Sequence, residues 1–524
     1  MFRGIGRAKI LSLLILGAFG AAWGAEELRI GPSYETAVDI PHIWAYLRRS
    51  PGGGPLMGTD GIIDAYFDTG ASGLVLARES RDALGVRPEP NGVYYDIGVG
   101  GAQMFQVSEP LYISVANYTG IFDYPPLSAF TQQFGAYRLQ LTMEYADDWL
   151  TGALDIFGMP LMMGKTVVIQ SSNFDMLQFA AGAVHNPDDP ALPTPDFTLK
   201  LRFRDFVYTT DPEIIPPLPT GAYNPVIDEI TITRDGQQAT GSYLLDTGAM
   251  VSMIAPALAH KLGLTELDGT PIIPPDDWFP LGGVGGSVNA PFYYLDTLRV
   301  PTLQGFDLVF EQPGVCVLQI GTYDEQTGDE IVLDGIFGFN FLDTYLAYDA
   351  QPFALTVLDT VRGTLGYKLN PGFVLPCQGG RFPYPAGDLN HDCQVTLADL
   401  TGIAGKWLAT DCLADNCAGA DLDRSGAVNL PDFTQLAGNV NRVVPGPLCG
   451  DGAHPWAASD FNRDCRTDLA DLVIMTGEWL NSDCGVLTAN CSGSDLDRNG
   501  AVDAADMLVF SQAWLTCTGG DGCW

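Results

Sequence analysis

Tyr66-Phe67-Asp68-Thr69-Gly70-Ala71 and Leu244-Leu245-Asp246-Thr247-Gly248-Ala249 are two copies of one motif, 178 residues apart. In each copy apolar residues run into Asp-Thr-Gly, which predicts a buried strand ending in a tight turn. The likeness continues downstream. Ala83-Leu84-Gly85-Val86 matches Lys261-Leu262-Gly263-Leu264 at the same offset, and Asp155-Ile156-Phe157-Gly158 is answered by Gly335-Ile336-Phe337-Gly338. Self-similarity at so long a period predicts two similar lobes, about 30–185 and 225–370. Between them, from about Asn186 to Pro225, lies a Pro-rich stretch with little periodicity, which reads as a connection. Most other segments are short β-rich runs such as Val167-Val168-Ile169 and Ile230-Thr231-Ile232, broken by Gly and Pro, so the fold class is mainly β.

An apolar strand holds its terminal Asp in a place that a lone carboxylate would dislike. Thr can tie one turn to its twin. Two such aspartates facing each other cannot both ionise, so they share a proton. One acts as base on a water, and the other, protonated, polarises a carbonyl. The chemistry is amide hydrolysis without a metal or covalent intermediate. Asp68 and Asp246 are the catalytic candidates, with Thr69, Gly70, Thr247 and Gly248 in support.

These residues resemble the aspartic proteases of the pepsin and retropepsin clan. The likeness rests on Phe67-Asp68-Thr69-Gly70-Ala71-Ser72, Leu245-Asp246-Thr247-Gly248-Ala249, and the later Ile156-Phe157-Gly158 and Ile336-Phe337-Gly338, and it covers about residues 30–370. It implies a bilobal β fold with the dyad at the lobe interface, the Ile-Phe-Gly elements supporting the turns from beneath, and polypeptide substrates. It also implies a flap hairpin, for which Val93-Tyr94-Tyr95-Asp96 before Gly98-Val99-Gly100-Gly101 is the candidate. Gly282-Gly283-Val284-Gly285-Gly286 is a comparable glycine run, read equally well as an ordinary hairpin turn. Ala71 and Ala249 follow Asp-Thr-Gly as in retropepsins, where the pepsin group often has a hydroxyl residue.

A second, shorter repeat occurs four times after Cys377. Its four copies begin Asp388-Leu389-Asn390-His391-Asp392, Asp421-Leu422-Asp423-Arg424-Ser425, Asp460-Phe461-Asn462-Arg463-Asp464 and Asp495-Leu496-Asp497-Arg498-Asn499. Each has the spacing of a twelve-residue calcium loop with oxygen ligands at positions 1, 3, 5, 9 and 12. The first offers Asp388, Asn390, Asp392, Thr396 and Asp399. The second offers Asp421, Asp423, Ser425, Asn429 and Asp432, and the third Asp460, Asn462, Asp464, Asp468 and Asp471. The fourth offers Asp495, Asp497, Asn499, Asp503 and Asp506. Hard oxygen donors at this density fit Ca²⁺, at up to four structural sites. Paired loop–helix copies with Asp at position 12 resemble the type I dockerin module of secreted bacterial enzymes. The resemblance implies a cohesin-type scaffold partner and a small α-helical C-terminal region. Loops one and three carry Cys393 and Cys465 where the usual Gly stands; Gly426 and Gly500 keep it in the others. The units are expected at 388–448 and 449–524, after a Pro-rich linker at 371–387.

The chain's 524 residues and net charge of −37 frame these readings. Such a field repels phosphate backbones and anionic membrane surfaces, which disfavours a nucleic-acid or peripheral-membrane role. Arg3, Arg7 and Lys9 precede an apolar run from about Ile10 to Ala22, the pattern of a signal peptide over residues 1–24. No later segment is apolar and long enough to span a bilayer. The mature chain is therefore expected outside the cell, free or at its surface. Ten of the 11 cysteines lie at or beyond Cys377, which predicts a disulfide-stapled C-terminal region, with Cys316 a buried thiol. The competing reading of the whole is a non-catalytic secreted scaffold or adhesion protein with a protease-like, peptide-binding fold.

Overall fold

In the computed structural model each Asp-Thr-Gly motif ends a strand, Ile62–Phe67 in the first repeat and Gln237–Asp246 in the second. Ile63, Ala65 and Phe67 point into the core while Ile62, Asp64 and Tyr66 alternate with them, the two-residue period of a half-buried strand. The Ile-Phe-Gly element returns as a strand parallel to it, Ile156 beside Tyr66 and Phe157 beside Phe67. The second repeat does the same, with Gly335–Gly338 parallel to Tyr243–Asp246. A short strand after each turn, Leu74–Leu76 or Met253–Ile254, pairs antiparallel to the other side of that element. A helix follows in each repeat, Arg78–Leu84 and Pro256–Lys261. Gly85 and Gly263 adopt positive φ of 63° and 73° just beyond these helices, which accounts for the repeated Leu-Gly.

The description covers residues 26–30, 36–37, 39–120, 124–145, 155–172, 179–204, 217–303, 306–319, 321–323, 330–342, 352–370, 387–390, 392–410, 412, 417, 420–422, 427–439, 457–461, 467–482, 484 and 489–516. By internal contacts Pro385–Val443 forms one unit, and Glu26–Tyr384 with Val444–Trp524 the other. The segment read as a signal peptide lies outside the described residues, as does the linker up to residue 386. No helix among the described residues is long and apolar enough to cross a membrane.

Two large sheets carry the repeats, one of 14 strands and one of 11. They exchange chain. Glu26–Ile30 runs parallel to Phe306–Glu311 in the second repeat's sheet. Phe353–Asp359 and Thr364–Leu369 close the first repeat's sheet, the former antiparallel to Thr166–Gln170. The motif boundaries at 30–185 and 225–370 therefore do not bound the sheets. The stretch 186–225 also differs from the expected irregular connection. Phe197–Lys200 pairs with Thr364–Tyr367, and Arg202–Arg204 pairs with Asn224–Val226. Strands of four and three residues are too short to show a period through the prolines around them.

Beyond residue 387 the elements are helices: Leu397–Lys406 and Leu430–Asn439 in one unit, Leu469–Gly477 and Ala504–Gln512 in the other. Val395, Ile403, Val428 and Leu436 form the first small core, with Cys412 and Cys417 disulfide-bonded inside it. Met475, Val502 and Phe510 form the second, around the Cys484–Cys491 disulfide. These bridges agree with the expected stapled C-terminal region. Cys316 is a buried free thiol in the second repeat's core, and burial pushes it up to about 12.

Candidate active site

The two Asp-Thr-Gly turns are interlocked. Thr69 N donates to Thr247 Oγ1 at 3.0 Å, and Thr247 N donates to Thr69 Oγ1 at 3.0 Å. Each hydroxyl then donates across, Thr69 to Leu245 O and Thr247 to Phe67 O, both at 2.7 Å. Both threonines are fully buried, so these four bonds are made where water cannot replace them. The glycines have a steric reason. A Cβ on Gly70 would overlap the Asp246 carboxyl, and one on Gly248 would overlap that of Asp68. Each turn is thus cut to the shape of the opposite carboxylate.

Within each turn the Asp accepts from the two residues that follow. Gly70 N and Ala71 N donate to Asp68 Oδ1 at 2.7 and 3.2 Å; Gly248 N and Ala249 N donate to Asp246 Oδ1 at 2.9 and 3.1 Å. Each carboxyl lies against the glycine of the opposite turn, so the two face each other. Burial pushes both above the usual carboxylate range, and their proximity couples the two. The Ile-Phe-Gly elements brace the turns from behind: Met159 N donates to Ala71 O at 2.9 Å, and Phe339 N to Ala249 O at 2.8 Å. On the second side Gly338 N donates to Ser252 Oγ, whose hydroxyl donates to Asn340 Oδ1.

Both glycine runs are hairpin tips, where one flap was expected. Pro88–Gly98 with Gly101–Ser108 makes the first hairpin, Asp277–Gly283 with Gly286–Tyr294 the second. The tips meet: Gly100 N donates to Val284 O at 2.9 Å, and Gly285 N to Gln103 Oε1 at 3.0 Å. A Cβ on Gly100 or Gly285 would overlap the other tip's backbone. Val99 packs on the apolar cluster that holds Ala249, Val251 and Ile336 beside the second turn. Of the two tyrosines, Tyr94 is buried and Tyr95 is half exposed.

Two further features near the first turn were not singled out in the sequence. His42 sits between Asp39 and Asp64, 2.7 Å from the latter, against the rings of Tyr66 and Tyr118. Burial pulls its imidazole down, but bonds to both carboxylates more than offset this and raise it to about 9. Asn224, fully buried at the start of Asn224–Arg234, donates through Nδ2 to Thr69 O and Gly70 O, both at 2.9 Å. The signal for Asn224 was present: Ile40-Pro41-His42-Ile43 and Asn224-Pro225-Val226-Ile227 are matching lead-ins to the two motifs.

The acidic loops share one internal pattern. Asp399, Asp432, Asp471 and Asp506 are all buried, and each accepts from the backbone N–H of the loop's ninth residue, Thr396, Asn429, Asp468 or Asp503. In loops one, three and four the other oxygen accepts from the second residue, Leu389, Phe461 or Leu496. Asp388 and Asp495 accept from Cys393 N and Gly500 N, at φ 67° and 94°. Cys393 therefore holds the left-handed place that glycine fills in loop four. Carboxylate oxygens of Asp495, Asp497 and Asp506 lie within 4.8 Å of one another. This all-oxygen donor set fits a hard cation. Asp423 and Ser425 of loop two, Asn462 and Asp464 of loop three, and Cys465 lie outside the described residues.

A family model described as aspartyl protease matches residues 230–341. No curated protein matches the chain. The matched segment contains Asp246-Thr247-Gly248 and Ile336-Phe337-Gly338, so the chain carries an aspartic protease-like domain.

Proposed function

We propose that this chain is a secreted aspartic endopeptidase with a bilobal, retropepsin-like catalytic domain, in which Asp68 and Asp246 hydrolyse peptide bonds through an activated water. The observation that supports it best is the pair of facing carboxyls held in two interlocked Asp-Thr-Gly turns. In the singly protonated dyad, the ionised carboxylate takes a proton from water as that oxygen attacks the scissile carbonyl carbon. The protonated partner donates to the carbonyl oxygen, giving a neutral tetrahedral diol. Collapse breaks the C–N bond, returns a proton to the amine nitrogen and leaves a carboxylic acid and an amine. The paired hairpin tips are read as two flaps that close on an extended peptide.

The C-terminal loops are proposed as calcium sites in dockerin-like units. Asp495, Asp497 and Asp506 would hold the ion of loop four, with the corresponding residues serving in the other loops, and a cohesin-type scaffold is the proposed partner. Calcium takes no part in the hydrolysis proposed for the dyad.

The test is hydrolysis of denatured casein across pH 3–7 by the full chain, with and without a peptidic transition-state inhibitor of aspartic proteases. Inhibitor-sensitive cleavage that disappears in Asp68→Asn and Asp246→Asn is expected. Binding of peptide without cleavage by the wild-type chain would overturn the proposal in favour of a non-catalytic, peptide-binding protein.

A further inference from the structure

The two catalytic turns are near copies in sequence, but their surroundings are not. Asn224 Nδ2 donates to Thr69 O and to Gly70 O. These carbonyls belong to the peptide units whose N–H groups, on Gly70 and Ala71, donate to Asp68 Oδ1. One side-chain amide therefore stands at the far end of two short relays, each running amide, peptide carbonyl, peptide N–H, carboxylate. A peptide whose carbonyl accepts a hydrogen bond becomes a stronger N–H donor.

The opposite turn lacks this. Aligned on Pro41 and Pro225, the first repeat has Ile40 where the second has Asn224. Among the described residues no side chain donates to Thr247 O or Gly248 O. The amide's orientation is set by chemistry, since a flip would aim its oxygen at two carbonyl oxygens. Asn224 Oδ1 itself is buried with no partner among the described residues, which is unfavourable for a polar atom. The side chain is placed for its two donors at the expense of its acceptor.

We infer, resting on the dyad reading above, that Asn224 is a positioning residue that polarises the Asp68 turn and so favours Asp68 as the ionised base and Asp246 as the proton carrier. The titratable group facing Asp68 is Asp246, and the one facing Asp246 is Asp68.

The experiment compares wild type, Asn224→Leu and Asn224→Thr in the full chain, reading kcat and KM for a chromogenic peptide from pH 3 to 8, with folding checked by circular dichroism. Leu imitates the Ile40 side; Thr keeps one donor. Losing both donors should make the Asp68 carboxylate less stable. The acidic limb of kcat/KM should then move up by about half a pH unit or more. The same loss should lower kcat about tenfold with KM little changed, and Thr should fall between. Lower kcat with an unmoved acidic limb would reduce Asn224 to a packing residue and overturn the inference while leaving the protease reading intact. If Asn224→Leu fails to fold, Asn224→Thr decides by the same limb. A folded wild-type chain that cleaves nothing overturns both.

Discussion

Thr69 and Thr247 each use one hydroxyl twice, accepting the other's backbone N–H at 3.0 Å and donating to the carbonyl before the other's Asp at 2.7 Å. The two turns are therefore joined by a closed set of buried bonds, and neither carboxylate can shift alone. Thr69→Val removes two of the bonds and strands Thr247 N and Leu245 O in a dry site. Each unsatisfied buried group costs about 1–3 kcal/mol, so a loss of roughly 2–6 kcal/mol is expected. Thr69→Ser keeps the hydroxyl and should stay within about 1 kcal/mol of wild type. Urea unfolding of the three proteins measures this. Equal midpoints for Val and wild type would mean the interlock contributes nothing.

The dyad's working pH can be argued from the same turns. Burial raises both carboxyls, and the residues that follow Asp-Thr-Gly, Ala71 and Ala249, offer only backbone N–H groups to them. The proposed active form carries one proton on the pair. Its window lies between two macroscopic pKa values that belong to the dyad, and raising both moves the window up. Activity is expected to peak at mildly rather than strongly acidic pH. Ala71→Ser with Ala249→Thr adds hydroxyl donors to the ionised form, which lowers its pKa and should shift the optimum toward acid. An unchanged profile in the folded double mutant would show that other charges set the optimum.

Much of this site was legible because its logic is local and repeated. Asp68 and Asp246 announce themselves through identical neighbours, and Ile156-Phe157-Gly158 is recognisable from Ile336-Phe337-Gly338. What escaped reading depends on contacts between distant segments. The joining of Glu26–Ile30 to Phe306–Glu311 depends on pairing across some 280 residues, and no local pattern encodes the partner. The meeting of Gly100 with Val284 turns two ordinary-looking glycine runs into one feature. Asn224 looks like a turn residue before proline until its amide is seen against the other repeat's Asp-Thr-Gly turn. His42 carries no periodic signal, because its importance lies in two carboxylates, one of them 22 residues away.

Asp155 couples stability to pH. It ends the connection into the first Ile-Phe-Gly strand and accepts from Ala77 N and Ser80 Oγ at the start of the helix Arg78–Leu84. Burial pushes it up to about 6, against the effect of these bonds. Between pH 4 and 6 the native carboxyl binds its proton more tightly than the unfolded chain does. Its contribution is therefore full below the unfolded value and is lost as pH rises through about 6. A two-unit difference sets the scale at no more than about 3 kcal/mol. Asp155→Asn keeps a carbonyl for Ala77 N and carries no charge. It should match wild type near pH 4 and melt higher at pH 7. A variant that instead melts lower at pH 7 would show that the ionised form is the one the helix start needs.

The acidic loops make a prediction that separates calcium sites from solvated turns. In loop four the carboxylates of Asp495, Asp497 and Asp506 converge within 4.8 Å, an arrangement that like charges resist unless a cation sits among them. Trp514 lies two residues beyond the helix Ala504–Gln512, exposed to solvent, with its ring 5.7 Å from that of Phe510, a member of the second small core. Binding of calcium should therefore tie the loop to a nearby fluorophore. Chelator added to the full chain is expected to change tryptophan emission and lower the melting temperature, and calcium should restore both. Asp506→Asn removes the position-12 charge and keeps an acceptor for only one of Leu496 N and Asp503 N, which donate to separate oxygens. It should lose the ion of loop four, so the bound-calcium stoichiometry falls by one, while the cap from Asp503 to Ala505 N remains at the helix start. The Cys484–Cys491 bridge can hold the unit together without metal, so the measurement is made with disulfides intact and reduced. Unchanged stoichiometry in Asp506→Asn, or indifference to chelator in both redox states, would assign these carboxylates to backbone capping alone.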